Sequence, residues 1–572
     1  MKKLDSVKKR ISFIYKLIAF FSCLSLLLFL IISGLLIASY FVNNQSDALN
    51  NLVFPILRTF LLVFPIEGII VFFLISLYTK YKLISKKGVE VKGAGSFYDL
   101  SRFDYLVIDE GESLFNERCV IKEVVPIGKE KENQIIDIIG SIASKVDNED
   151  PMIYALGQLS YIPLYIDDEI EVRENSYLTN YNGRKYVLGK LGSFKFRAEE
   201  FVKNKIEPYL LKGYEIDLVG RYEYDEKNKK YMEFADVFGI IVAKNEINND
   251  ASAAIKHFQN MGKEVRLLSS GNALAASEQA NAIGIKNSEK FINGDIFGDY
   301  VVYGGLNKKQ KQQFVDNLEK EGKVVLVFSN WDDTSNANCS LSLSDKSNAD
   351  ILVPEKDASI INSYEESVSF SNKLKKVFVL EAFKTVFVGL YLLMTASLSL
   401  AGFSYDYRPI CLGVVLTTVV MVLIAFDEDR VVERKFFSRL LSSSILTFLS
   451  IATLFVLYFL QYYEIAYTGI NNINVCLTLC ASVFALTIPV VLFSLYKPFN
   501  NYRIISFSTL LAFILGVLGA LWAFERNIMG FYFYMFNGQN ILSLIIIVVL
   551  YVTLYIISNY LLDNYFKGGD KK

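Results

Sequence analysis

Histidine is almost missing from this sequence, with one residue, His257, among 572. A mechanism that needs two imidazoles, such as a His-rich zinc site or an HExxH helix, is excluded. No charge of either sign is in excess: 59 Lys and Arg stand against 60 Asp and Glu, for a formal net charge of -1. Nucleic-acid binding would want a basic surplus, so no nucleic acid is expected as a partner. The six cysteines are few and scattered, with Cys23, Cys411, Cys476 and Cys480 in apolar runs and Cys119 and Cys339 in the polar middle. That spacing shows no disulfide framework, and the two central residues read as cytosolic thiols. Cys476 and Cys480 stand i, i+4 on one helix face, where they read as small packing residues or as ligands for a soft metal.

Apolar residues are abundant instead, at 52% hydrophobic and 14% aromatic, with a mean hydropathy of +0.31. Such figures exclude a disordered chain and argue against an ordinary soluble enzyme. A bilayer core takes about 20 mostly apolar residues in a helix. Eight runs qualify: 17–42, 53–78, 377–403, 409–426, 440–462, 473–496, 503–524 and 541–562. The first is longer than a signal-peptide core and no small-residue cleavage site follows it, so it reads as a retained anchor.

Lys and Arg mark one side of these runs. They cluster in MKKLDSVKKR before the first run, KYKLISKK after the second and DRVVERKFFSR between the fourth and fifth. KPFNNYR after the sixth run and FKGGDKK at the end continue the pattern, whereas NNQSDALNN and YYEIAYTGINNIN contain neither residue. The positive-inside rule then places both termini and the polar block 79–376 in the cytoplasm of a multi-pass cell-membrane protein.

Within that block strand and helix patterns alternate. YLVID (105–109), VFGIIVA (237–243), VRLLSS (265–270), KVVLVFS (323–329) and ADILVP (349–354) read as buried parallel strands. Between them lie DASAAIKHFQNMG (250–262), NALAASEQANAIG (272–284) and NKKQKQQFVDNLEKEG (307–322), each opening on Asp or Asn and closing on Gly. These are helix caps, and the alternation predicts a doubly wound α/β domain with ligands at the carboxyl ends of its strands. The stretch from about 125 to 232 breaks the alternation with ENQIIDIIGSIASKV and hairpin-like pieces, and reads as an inserted second domain.

A strand ending in Asp, an insertion, a return to α/β and a block of membrane helices is an order that resembles the P-type ATPases. FPIEGIIVFF (64–73) resembles their PEGL segment, IDEGESLFN (108–116) their DKTGTLT motif and YVLGKLGSF (186–194) a turn of their nucleotide domain. VAKNEINNDASAAI (242–255) is similar to the segment that opens the returning phosphorylation domain, and LSSGNALAASEQANAIGI (268–285) to the TGDN helix. LNKKQKQQFVDNLEKEGKVVLVFSNWDD (306–333) resembles the stretch from PEQK to GDGxND, and ANCSLSL (337–343) resembles ADCSIAM. The resemblance covers about 50–440 with matching order.

It implies a multi-pass α-helical membrane protein with a cytoplasmic, HAD-like α/β domain carrying an inserted α+β nucleotide-binding-like domain. The divisions follow: 1–78 two membrane helices, 79–124 and 233–376 the two parts of the phosphorylation-type domain, 125–232 the insertion, 377–572 six membrane helices. It makes Asp109 the phosphorylated residue and Lys311 the PEQK lysine, with Gly189 and Lys190 at the nucleotide, Asp332 and Asp333 as displaced metal carboxylates, and ATP and Mg²⁺ as cofactors.

The residues depart from that chemistry at most positions. The motif lysine after the aspartate is Glu110, the TGDN aspartate is Gly271, and the first GDGxND aspartate is Asn330. Phosphoryl transfer needs cations and oriented donors where negative charge develops. No TGES, the actuator motif, occurs in these 572 residues. The resemblance is thus to a degenerate member without the actuator domain, expected to serve as a non-catalytic partner, regulator or sensor in a complex with a membrane protein or a second copy. The alternative is an active cation pump with displaced groups. Asp109 itself reads either as a strand-end cap or as a nucleophile.

Glu67 lies near the middle of its apolar run, where a carboxylate is expensive and functional by default. Glu381 and Lys384 on the next run are its candidate partners. Two carboxylates would suit a cation, whereas Lys384 would fill the site as a tethered ammonium or snorkel to the interface.

Overall fold

A computed structural model of the chain describes residues 13–92, 94–109, 115–146, 151–166, 170–173, 176–225, 230–247, 249–294, 296, 298–329, 337–342, 349–353, 360–428, 439–449, 452, 473–497, 499–524 and 528–569. It divides into two compact units, Met1–Lys82 with Glu365–Lys572, and Leu83–Tyr364.

The first unit opens on α1 (Phe13–Val42), a helix with no acidic residue in its first turn and no basic residue in its last. A short π-turn at Leu49–Val53 leads into α2 (Phe54–Val63), and α3 (Ile66–Lys87) follows after a break. The break has a local cause. Proline disfavours helical backbone in the residue before it, and Phe64 is extended, with φ −70° and ψ 143°. Pro65 also has no N–H to continue the helix, and the Ile66 N–H turns back to the Phe64 carbonyl at 2.9 Å. Glu67 is left in the first turn of the new helix.

In the second unit β1 (Glu90–Val91) and α4 (Ala94–Arg102) precede β2 (Tyr105–Asp109), whose Leu106, Val107 and Ile108 are buried. The chain then builds a separate six-stranded antiparallel sheet. Its strands are β3 (Phe115–Pro126), β4 (Glu171–Arg173), β5 (Ser176–Tyr181), β6 (Arg184–Lys190), β7 (Glu215–Asp225) and β8 (Lys230–Ile247), in the order β3-β8-β7-β6-β5-β4. Helices α5 (Glu132–Ala143) and α6 (Pro151–Gly157) bring Ile135, Ile139 and Leu156 into one core with Phe238 and Ile241. Helix α7 (Glu199–Leu210) brings Val202 and Ile206 into a second core with Ile240 and Val242.

This arrangement corrects one strand. VFGIIVA (237–243) is the middle of β8 and pairs antiparallel with β3 and β7; it is no parallel strand of the other sheet. Alternate residues of β8 enter the two different cores, so both its faces are apolar and its run looks like a parallel core strand. Positions 125 and 232, the expected divisions, fall within β3 and β8, and the strands of this sheet lie between 115 and 247.

The first sheet resumes with α8 (Asn249–Asn260), β9 (Glu264–Leu268), α9 (Ala273–Ile283), β10 (Phe291–Asn293), β11 (Val302–Gly304), α10 (Lys308–Lys320), β12 (Val325–Phe328), β13 (Cys339–Ser342) and β14 (Ile351–Leu352). Its order is β1-β14-β13-β12-β2-β9-β11-β10. All pairings are parallel except the β1–β14 edge. The chain places β9, β11 and β10 on one side of β2 and then β12, β13 and β14 on the other, which makes the carboxyl end of β2 a topological switch point. His257 of α8 is half-buried and sits edge-on to Phe258 and Tyr364.

The first unit continues with α11 (Ile360–Leu400), α12 (Arg408–Phe426), α13 (Arg439–Leu449), α14 (Ile473–Leu495), α15 (Asn501–Ala523) and α16 (Gly538–Gly569). Among the described residues seven helices are long and apolar enough to cross a membrane, and they coincide with seven of the eight expected runs. The remaining run, 440–462, begins as α13 and lies otherwise outside the described residues. This is a multi-pass membrane protein. Its inner helices are α11 and α14, where 78% and 89% of the apolar window is buried, against 11% in α16.

Candidate functional site

Two places gather the residues singled out by the sequence. The first is the carboxyl end of β2. Strand β2 lies between β12 and β9, with Asp109 in register with Leu268, so the last residue of the central strand reaches the sheet edge. Helix α10 supplies its partner. Asn307 caps α10 by accepting from the Gln310 N–H at 3.0 Å, while Gln310 Oε1 accepts from the Asn307 N–H at 2.9 Å. This reciprocal box fixes the start of the helix, and Lys311 follows one residue later. Its Nζ donates to Asp109 Oδ1 at 2.7 Å, with 6% and 15% of the two side chains exposed. An ammonium in the first turns of a helix opposes the macrodipole, and the carboxylate beside it offsets that cost.

The neighbouring positions are occupied by fold chemistry. Gly271 donates its N–H to Ser269 Oγ at 2.8 Å and accepts from the Gly305 N–H at 2.7 Å. Asn272, the retained residue of the TGDN-like segment, accepts from the Leu274 N–H at 2.8 Å as the N-cap of α9. Its side-chain oxygen is therefore committed to the helix. Glu110, Ser113, Asn330, Asp332 and Asp333 lie outside the described residues.

Gly189 and Lys190 do not form the turn expected of them. Both are in β6, where Gly189 is buried between Ser176 of β5 and Leu218 of β7. The turn comes later, at Gly192, whose φ of +92° is the left-handed region that glycine tolerates. Lys190 faces Glu215 at 3.7 Å. The described residues here pair with each other and do not form a phosphate cradle.

The second place is inside the membrane unit. Lys384 Nζ lies 2.6 Å from Glu67 Oε2 and 2.7 Å from Glu381 Oε1. The Lys384 side chain is fully buried and Glu381 is 3% exposed, while Glu67 keeps 20%. Neither Glu381 oxygen has a hydrogen-bond partner of good geometry, so its compensation is the ionic contact. Lys384 is not snorkelling. It bridges two carboxylates.

Gly68 completes this geometry and carried no signal in the sequence beyond its place after Glu67. A Cβ there would lie 2.9 Å from Glu381 Oε2, so a larger residue would push that carboxylate out of its present place beside α3. The break at Phe64–Pro65 contributes too, because it puts Glu67 at a helix N-terminus, where a carboxylate is favoured. Interrupted membrane helices are a recurring way to build an ion site at depth. Cys476 and Cys480 are buried on α14, and no group of three or more His, Cys, Asp or Glu able to hold a metal occurs among the described residues.

No family model and no curated protein matches this sequence. Two crystal structures of a zinc-transporting PIB-type ATPase, captured in different states, are similar at 15% sequence identity with a TM-score of 0.39. Each alignment covers 69% of this chain and 61% of the other, so the chain spans about three fifths of the length of those structures.

Proposed function

We propose that this chain is a P-type-ATPase-like membrane protein that does not turn over ATP and acts as a regulatory or sensing partner of another membrane protein or of a second copy. The observation that carries the reading is the set of replacements around the strand-end pair. Asp109 keeps Lys311 as its partner, but the other groups that would meet a phosphoryl donor are replaced. Glu110 brings a negative charge where the chemistry wants a cation. Two unit charges ~4 Å apart at an effective dielectric near 20 interact by about 4 kcal/mol, and between this residue and phosphate the sign is repulsive. Asn272 is held by its capping bond, Gly271 has no side chain, and position 330 is an amide. The residue types at these positions do not suit a nucleotide with Mg²⁺.

The test is phosphorylation. Incubated with radiolabelled ATP and Mg²⁺, the full chain is expected to give no acid-stable, hydroxylamine-sensitive label. Asp109→Asn is expected to leave the cellular phenotype unchanged. A label that appears in the native chain and is lost in Asp109→Asn would establish the second reading, an active ATP-driven cation pump. The intramembrane cluster supports that alternative, since two carboxylates share one ammonium there.

In the proposed topology both termini and residues 79–376 face the cytoplasm. Single cysteines at Ser46→Cys and Thr468→Cys, introduced into a chain with its own six replaced, should react with an impermeant maleimide in intact cells. Glu200→Cys should react only after lysis. Labelling of Glu200→Cys in intact cells would reverse the orientation.

A further inference from the structure

Arg58 has no use in either reading above. It lies on α2, in the membrane unit, on the same exposed helix face as Phe54, Leu57 and Leu61. A charged side chain at membrane depth normally turns inward, pairs with an opposite charge or lines water. Arg58 does none of these among the described residues. Its guanidinium lies over the Tyr407 ring at 4.7 Å and the Phe54 ring at 5.7 Å. The nearest acid along the Tyr407 loop is already engaged: Asp406 binds Arg408 through both oxygens, at 2.9 Å each.

The platform under Arg58 is fixed. Tyr405 and Thr59 share a hydroxyl hydrogen bond of 2.7 Å, which ties the 403–407 loop to α2. Tyrosines favour the headgroup level of a bilayer, so Tyr405 and Tyr407 locate Arg58 near that level. The rings hold the guanidinium by cation–π attraction, and Arg58 remains exposed.

We infer that Arg58 and the Tyr407 ring form a binding site for the phosphate of a phospholipid headgroup. A planar guanidinium matches phosphate with two parallel donors. The exposed Leu61 lies about one turn deeper on the same face of α2, where an acyl chain of such a lipid runs. Among the described residues no acid pairs with Arg58, and in this site the membrane itself supplies the counter-charge.

The full chain, purified in mild detergent and stripped of lipid, is titrated with short-chain phosphatidylglycerol, with diacylglycerol of equal chain length, and with free phosphate. Thermal melting is the first readout and native mass spectrometry the second. Phosphatidylglycerol should raise the melting temperature, and the other two should not. Arg58→Leu should bind the lipid about tenfold more weakly or worse, the fold-change expected from losing hydrogen bonds to a charged group, and Arg58→Lys should keep part of the effect. The lipid-free melting temperature of Arg58→Leu should not fall, because leucine suits a lipid-facing position. Equal stabilisation by diacylglycerol, or undiminished lipid binding in both Arg58→Leu and Arg58→Gln, would overturn the site. Stabilisation by free phosphate alone would also overturn it, in favour of a soluble anion.

Discussion

Lys384→Met is expected to destabilise the membrane unit by about 3–5 kcal/mol, the range for breaking a buried ion pair by removing one partner. The lysine is fully buried between Glu67 and Glu381, at 2.6 and 2.7 Å. Methionine fills much of its volume and leaves two carboxylates facing each other with no cation. Glu67→Gln should cost less, since Glu67 is partly exposed and Lys384 keeps Glu381. The combination Glu67→Gln with Lys384→Met should recover part of the loss, and adding Glu381→Gln should recover most of it, because replacing every member of a buried ionic group is often nearly neutral. Melting in detergent across this set measures the coupling. If the single losses simply add, the groups act independently, and the carboxylates return to being candidate ion ligands.

A second large effect is expected at Arg503 of α15. Arg503 is 2% exposed, and its Nε and Nη2 meet the Asp427 carboxylate at 2.9 and 2.7 Å. Its Nη1 donates to the Tyr496 carbonyl at 3.3 Å, and Lys376 of α11 approaches the same carboxylate at 3.7 Å. One aspartate thereby joins the end of α12 to both α15 and α11. Arg503→Met should cost about 3–5 kcal/mol for the same reason as before. Arg503→Lys should recover only part of it, because an ammonium cannot make the paired contact of a planar fork. Asp427→Asn should fall near Arg503→Met in a thermal scan. A loss below about 1 kcal/mol in both, the range of an exposed pair, would show that this cluster is wet in solution.

The helices and parallel strands around the candidate site were legible because local chemistry and tertiary role agree there. Asn272 and Asn307 announce α9 and α10 as caps, and both make the capping bonds their position requires. YLVID, VRLLSS and KVVLVFS contain short apolar runs that form β2, β9 and β12. VFGIIVA misled because an antiparallel strand buried on both faces has the same composition. The short strands β10 and β11, three residues each, carry no periodicity to detect. Within the membrane, Glu67, Glu381 and Lys384 stood out because charge is rare in apolar runs. That the lysine would reach both acids was not legible, because it depends on how the helix of Glu67 packs against that of Lys384. Arg503 and Asp427 flank their apolar runs, where a charge looks like an ordinary interfacial residue.

The Asp109–Lys311 contact joins positions 202 apart in the chain, and that separation bears on the order in which the protein is made. Strand β2 is synthesised early, yet both its neighbours, β9 and β12, come after residue 263. At roughly 5–20 residues per second, about 8–30 s pass between the exit of β2 from the ribosome and the arrival of its first partner. During that interval all six strands of the second sheet emerge in one continuous stretch, 115–247, and can close among themselves. Leu106, Val107 and Ile108 meanwhile remain an uncovered apolar strand, the kind of segment that invites aggregation or a chaperone. The guest sheet is complete before its host, and the central strand of the host meets its first neighbour only after the whole guest has been made.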